Sequence, residues 1–101
     1  PSKILMAKGD IFRFETGYVV DVQSDLLSDL RTRVVVPLKP ISQFPKPADR
    51  LNPVIKIGGD DWVLLPQFIA TLGTSELGEK VGEFEDAFKL TNALDMVFHG
   101  I

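Results

Sequence analysis

The sequence predicts an α+β domain that is mainly β, a small antiparallel barrel or sheet closed by one C-terminal helix. Three features carry this reading. Short β-branched runs alternate with period two over the first two thirds of the chain, a glycine–aspartate hairpin signal sits near the middle, and apolar residues adopt helical spacing only at the end. A length of 101 residues suits one domain over 1–101, large enough to bury a core without metal or disulfide help.

The elements follow in order. The first fourteen residues are expected to give one or two strands around a turn at Lys8-Gly9-Asp10. "YVVDVQS" (Tyr18 to Ser24) and "RVVVPL" (Arg33 to Leu38) read as strands on either side of the turn-prone, acidic "DLLSDLRT". In the first, Tyr18, Val20 and Val22 share one face that packs, while Val19, Asp21 and Gln23 make a mixed face. Pro37 lacks a ladder donor, so the second strand should end or bulge there. Four prolines between Lys39 and Pro53 mark a surface excursion. "PVIKIGGDDWVLLP" then reads as a β-hairpin with Gly58-Gly59-Asp60-Asp61 at its tip. Gln67 to Leu72 fits another short strand, followed by a loop containing Gly73 and Gly78. From Gly82 the period changes: Phe84, Ala87, Phe88, Thr91, Leu94 and Phe98 form a helical stripe that Leu90 and Val97 widen, behind an acidic start at Glu83, Glu85 and Asp86.

Composition narrows the function. With no cysteine, disulfides and thiolate chemistry are excluded, and His99 is the single histidine, so neither a metal nor a cofactor is expected. The net charge of −3 and a pI near 5.0 have the wrong sign for a protein that binds by neutralising phosphates, so direct nucleic-acid binding is not expected. No apolar stretch approaches the roughly 20 residues needed to span a bilayer. "PSKILMAKGD" is not a signal peptide either, so no membrane partner and a cytoplasmic location are expected.

Catalytic constellations are scarce, and the chain reads as a non-enzyme. His99 has no cysteine to activate, and no serine lies in a G-x-S-x-G elbow. Asp60 and Asp61 are paired carboxylates that suit a hard cation or acid–base work, but adjacent acids after two glycines more often form a solvated hairpin tip. "LGEKVGE" lacks both the lysine–serine pair of a phosphate loop and the strand context of a dinucleotide fingerprint.

What remains is an apolar surplus. Leu26 and Leu27 are adjacent in an acidic turn, where only one can easily point inward. His99, Gly100 and Ile101 lie past the helical stripe. They read either as a helix cap, with Gly100 left-handed and Ile101 folded back, or as contact surface.

"VVDVQSDLL" (Val19 to Leu27), "RVVVPL" and the terminal "FHGI" together resemble the CcdB-type toxins of plasmid and chromosomal toxin–antitoxin modules, and "VIKIGGDDWVLL" resembles their hairpin. The resemblance runs across nearly the whole chain. It implies an SH3-like antiparallel barrel with one C-terminal helix, a homodimer, and a cognate CcdA-type antitoxin through which operator DNA would be bound. It also implies poisoning of DNA gyrase, by binding the A subunit and trapping the enzyme on cleaved DNA. The contact positions it implies here are His99, Gly100 and Ile101 at the helix end, Leu26, Leu27 and Ser28 beside them, and Asp95 one turn back. On that reading the chain stops at Ile101 because the terminus is itself the contact. The chain departs from the familiar members at His99, where they carry tryptophan, and at Asp95, where asparagine is typical. A different class, an endoribonuclease toxin of the same barrel, stays open because fold does not fix function, as does a dimeric interaction module without toxicity.

Overall fold

Among the described residues the chain folds into seven strands, β1 Asp10–Phe14, β2 Gly17–Asp21, β3 Thr32–Pro40, β4 Val54–Ile57, β5 Asp60–Leu64, β6 Ala70–Gly73 and β7 Lys80–Glu83, followed by one α-helix, α1 Ala87–His99. This computed structural model describes residues 6–27 and 29–100. The strands pair antiparallel in the order β4-β5-β3-β2-β1-β7, with β6 also on β3. The mainly-β architecture with a C-terminal helix is the one expected.

Pro37 does not end its strand. β3 runs on to Pro40, because its missing N–H falls where β3 changes neighbour, from β6 (ending at Val35↔Ala70) to β5 (starting at Leu38↔Leu64). Its carbonyl is still used, accepting the Leu65 N–H at 3.0 Å. The β4–β5 hairpin turns on two residues only. Gly58 and Gly59 have φ of 61° and 87°, a conformation that a side chain would strain, and Asp60 and Asp61 join β5 instead of the tip. Gln67 and Phe68 are not in a strand. Pro66–Phe68 forms a 3₁₀ turn, and pairing to β3 begins at Ala70.

Both faces of β2 are covered, so the mixed face is buried as well. Val20 packs with Ile11, Val36, Leu38, Leu64 and Phe84 on the helix side; Val19 packs with Phe12 and Val35 on the other, against Met6, Phe14, Leu72 and Leu77.

The helix starts later than Gly82. Lys80–Glu83 is a strand because Glu83 and Gly82 pair with Asp10 and Ile11 of β1, and Asp86 caps α1 by accepting the Lys89 N–H at 3.1 Å. Phe84 reaches the core from the link before the helix. The buried stripe is Leu90, Ala93 and Leu94, each leucine worth about 1.5–3 kcal/mol when fully buried. Thr91 is exposed, and Phe88 and Phe98 are 81% and 60% exposed. The helical period is as read, but the buried face is turned from the expected one: Leu90, Ala93 and Leu94 face the core, and the Ala87, Phe88, Thr91 and Phe98 line lies to its side in solvent.

Candidate functional site

After Asp21 the chain leaves the ladder, and Asp25–Leu27 turns through one 3₁₀ turn. The Ser24 hydroxyl accepts the Leu26 N–H at 3.2 Å, and the Ser24 carbonyl accepts the Leu27 N–H at 2.9 Å. The Asp25 carboxylate accepts the Lys8 N–H at 2.9 Å. This wiring leaves the leucines outside: Leu26 is 94% exposed, and Leu27 and Leu30 are each 49% exposed. Neither Leu26 nor Leu27 packs inward, where one had been free to do so. Ser28 lies outside the described residues.

At the other candidate surface, the last turn of α1 carries half-buried Asp95, exposed Phe98 and exposed His99. Asp95 and His99 stand one turn apart on the same side. The rings of Phe98 and His99 meet edge to face, with centroids 6.5 Å apart and planes at 66°. Gly100 is left-handed, with φ 72° and ψ 19°, and its N–H reaches the Met96 carbonyl at 3.0 Å. The helix cap expected as one alternative is therefore present at Gly100, and it presents His99 at the rim without covering it. Ile101 lies outside the described residues.

Among the described residues no hydrogen bond, ion pair or ring contact joins the Leu26–Leu27 turn to α1. Neither candidate surface lines the depression of about 440 Å³ between Pro47–Val54 and the Lys89–Asn92 side of α1, that of about 310 Å³ between β4 and Glu83–Asp86, or that of about 240 Å³ between the β1–β2 turn and Phe68. An exposed apolar edge that lies outside these cavities suits a macromolecular surface better than a small substrate. Among the described residues no three His, Asp or Glu side chains come together as a metal site would need, and no helix is long and apolar enough to cross a membrane. Asp60 stands exposed, and Asp61 is engaged by Lys56 Nζ at 2.8 Å, so the two carboxylates do not converge on a common point.

Sequence reasoning missed the support beneath the leucines. Asp21 and Arg33 form a wholly buried ion pair, with Nε and Nη2 both on Oδ2 at 2.8 and 2.6 Å. Oδ1 accepts the Gln23 N–H at 3.0 Å. Burial pushes the Asp21 carboxyl above its usual range, against the opposing pull of the Gln23 N–H and of Arg33. Arg33 Nη1 is buried without a partner among the described residues. Gln23 itself is buried. Its side-chain oxygen accepts the Val34 N–H at 3.0 Å, and its amide nitrogen donates to the Leu27 carbonyl at 2.9 Å. The available signal was the polar pair Asp21 and Gln23 at alternate positions of a valine-rich strand, with Arg33 opening the next one.

The family model described as "CcdB protein" matches residues 7–100. Among solved structures, an endoribonuclease from a mycobacterial species superposes with a TM-score of 0.78 at 19% identity, over 97% of this chain and 95% of its own. An endoribonuclease in complex with its cognate antitoxin, also from a mycobacterial species, superposes with a TM-score of 0.76 at 20% identity, over 92% of this chain and 94% of its own. At these identities the likeness is one of fold.

Proposed function

This chain belongs to the CcdB family, the toxins of toxin–antitoxin systems, and from that premise we propose that it poisons DNA gyrase by binding the A subunit and holding the enzyme on cleaved DNA. The observation that carries the proposal is the exposed leucine edge: Leu26, Leu27 and Leu30 stand out from one polar-wired turn, with Leu26 nearly free of its own chain. Scattered exposed leucines need no explanation; three within five residues, beside a turn braced by the hydrogen bonds of Ser24, Asp25 and Gln23, fit a docking edge. His99 and Phe98 at the helix rim supply the aromatic half, and Gly100 lets a partner backbone approach closely. Asp95, Ser28 and Ile101 complete the assigned contact.

The toxin acts by binding and not as a catalyst, and it acts where gyrase works, in the cytoplasm. Its functional unit is a homodimer, which brings the edges of two copies to a symmetric target and gives the exposed Phe68 and Phe88 a second copy to pack on. A CcdA-type antitoxin neutralises it through a segment that folds on binding.

The second reading, an endoribonuclease toxin, is favoured by the two solved structures that share this fold and bear that activity in their names. Gyrase-dependent DNA cleavage on a gel, run beside an RNA-cleavage assay with the same preparation, separates the two. Linearised plasmid that appears only with gyrase supports the first. RNA cleavage without it supports the second.

A further inference from the structure

Leu26 is almost uncovered and Leu27 and Leu30 are only half covered, so apolar packing fixes this edge weakly and its position leans on the polar bonds beneath it. Where β2 ends, Val22 N–H still donates to the Val34 carbonyl at 2.9 Å. The return bond of that antiparallel pair would take the Val34 N–H to the Val22 carbonyl. Instead the Val34 N–H goes to the Gln23 side-chain oxygen at 3.0 Å. The side-chain amide stands in for a peptide of the departing strand, and its other end donates to the Leu27 carbonyl at 2.9 Å. The same carbonyl also accepts the Leu30 N–H at 3.2 Å, so one amide connects the central strand β3 to the turn bearing all three exposed leucines. The Gln23 backbone N–H is fixed in turn by Asp21, whose other oxygen is held by Arg33.

We infer that Gln23 is the positioning residue of the Leu26–Leu27 edge, setting its affinity for the gyrase A subunit without touching it. The inference rests on the gyrase reading for its target, though not for the loop geometry. Only a side chain that accepts at one end and donates at the other, at this length, serves both bonds. Asparagine is one methylene short, and glutamate keeps the acceptor but turns the donor into an oxygen facing the Leu27 carbonyl.

Gln23→Glu is therefore the informative variant, with Gln23→Ala removing both halves and Leu26→Lys testing the edge directly. Each is measured for binding to the isolated gyrase A subunit and, by NMR, for amide exchange residue by residue. A loop that spends only part of its time in the competent position lowers the apparent affinity by that fraction. With Gln23→Glu, binding should weaken about tenfold and exchange should quicken at Leu27 and Leu30, while Val20 and Val36 in the β2–β3 ladder keep wild-type protection. Gln23→Ala should in addition release Val34. General loosening of the fold would instead raise exchange throughout β2 and β3.

If Gln23→Glu binds as tightly as wild type while Leu26→Lys does not, or if Leu27 and Leu30 stay protected in it, Gln23 does not position the edge. If wild type itself binds no gyrase, the functional reading falls, and the exchange pattern alone decides whether Gln23 holds the loop.

Discussion

Replacing Arg33 with methionine should destabilise the protein by about 3–5 kcal/mol at pH 7, the range for removing one partner of a buried ion pair. Both side chains are wholly buried, and two of the three bonds to the Asp21 carboxylate come from the guanidinium. Without it a charge stays behind in a site that water does not reach, held by the Gln23 N–H alone. At about 4–8 °C per kcal/mol for a domain of this size, the melting temperature should drop by roughly 12–40 °C. The denaturant midpoint should fall with its slope unchanged. The pH dependence identifies the cause. Burial holds the Asp21 carboxyl above its usual range, with the Gln23 N–H and Arg33 opposing that shift. A raised folded-state value means that the native protein binds this proton more tightly than the unfolded chain does. The site therefore favours folding fully below the unfolded value, about 3.9, and that advantage is lost as pH rises through the folded value. Removing Arg33 raises the folded value further, so the deficit of the variant is greatest near neutrality and shrinks as acid neutralises Asp21. Asp21→Asn added to Arg33→Met keeps an oxygen for Gln23 and removes the orphan charge, and should recover at least about 1 kcal/mol over the single variant. An Arg33→Met protein within about 1 kcal/mol of wild type at pH 7, or a double variant weaker than the single, would refute this account of the pair.

Three further outcomes are expected. Gly100→Ala should lower stability by about 1–2 kcal/mol, since its left-handed φ of 72° penalises a Cβ, and Gly100→Asn should fall less in calorimetry. Asp60→Asn with Asp61→Asn should leave toxicity in an expression assay and the melting temperature unchanged, because Asp60 is exposed and the Lys56–Asp61 pair is open to solvent; loss of activity in a folded protein would point to chemistry at that strand. His99→Trp should raise the yield of gyrase-cleaved DNA without moving the melting temperature, because the residue is exposed and a larger ring offers more stacking area; unchanged or lower yield would remove the helix rim from the contact.

The fold was legible wherever the signal was local. Period-two valines placed β2 and β3, and the two glycines placed the β4–β5 turn, because those features act on the backbone beside them. The helix start is not legible locally, because Phe84 has the right spacing for α1 while the residues before it are claimed by pairing with β1, which no local window contains. Pro37 misleads for a related reason: whether a missing N–H matters depends on which strand lies opposite. In the candidate site, Leu26 and Leu27 stand out in the sequence as apolar residues in an acidic turn, and His99 and Gly100 as residues past the helical stripe. Gln23 does not, since one buried amide in a strand pattern looks like any solvated one until both ends are seen bonded. Phe98 has the spacing of an apolar stripe, yet the face that packs is the one through Leu90, Ala93 and Leu94, and which face of a helix meets the sheet is a tertiary choice.

β3 also sets the order in which the chain can assemble. It is the strand on which β2, β5 and β6 all pair, and its partners differ greatly in how much chain must be closed to reach them. The β1–β2 and β4–β5 hairpins close over two residues each, whereas Thr32 must find Gly73 and Asp10 must find Glu83. Loop closure makes the distant pairings slow to nucleate. The two hairpins are the early structures on this account, β3 docks between them, and β6, β7 and the helix arrive last. Truncations in the β1–β2–β3 contact, such as Val20→Ala, then slow refolding, while truncations at Leu72 or Leu94 chiefly speed unfolding.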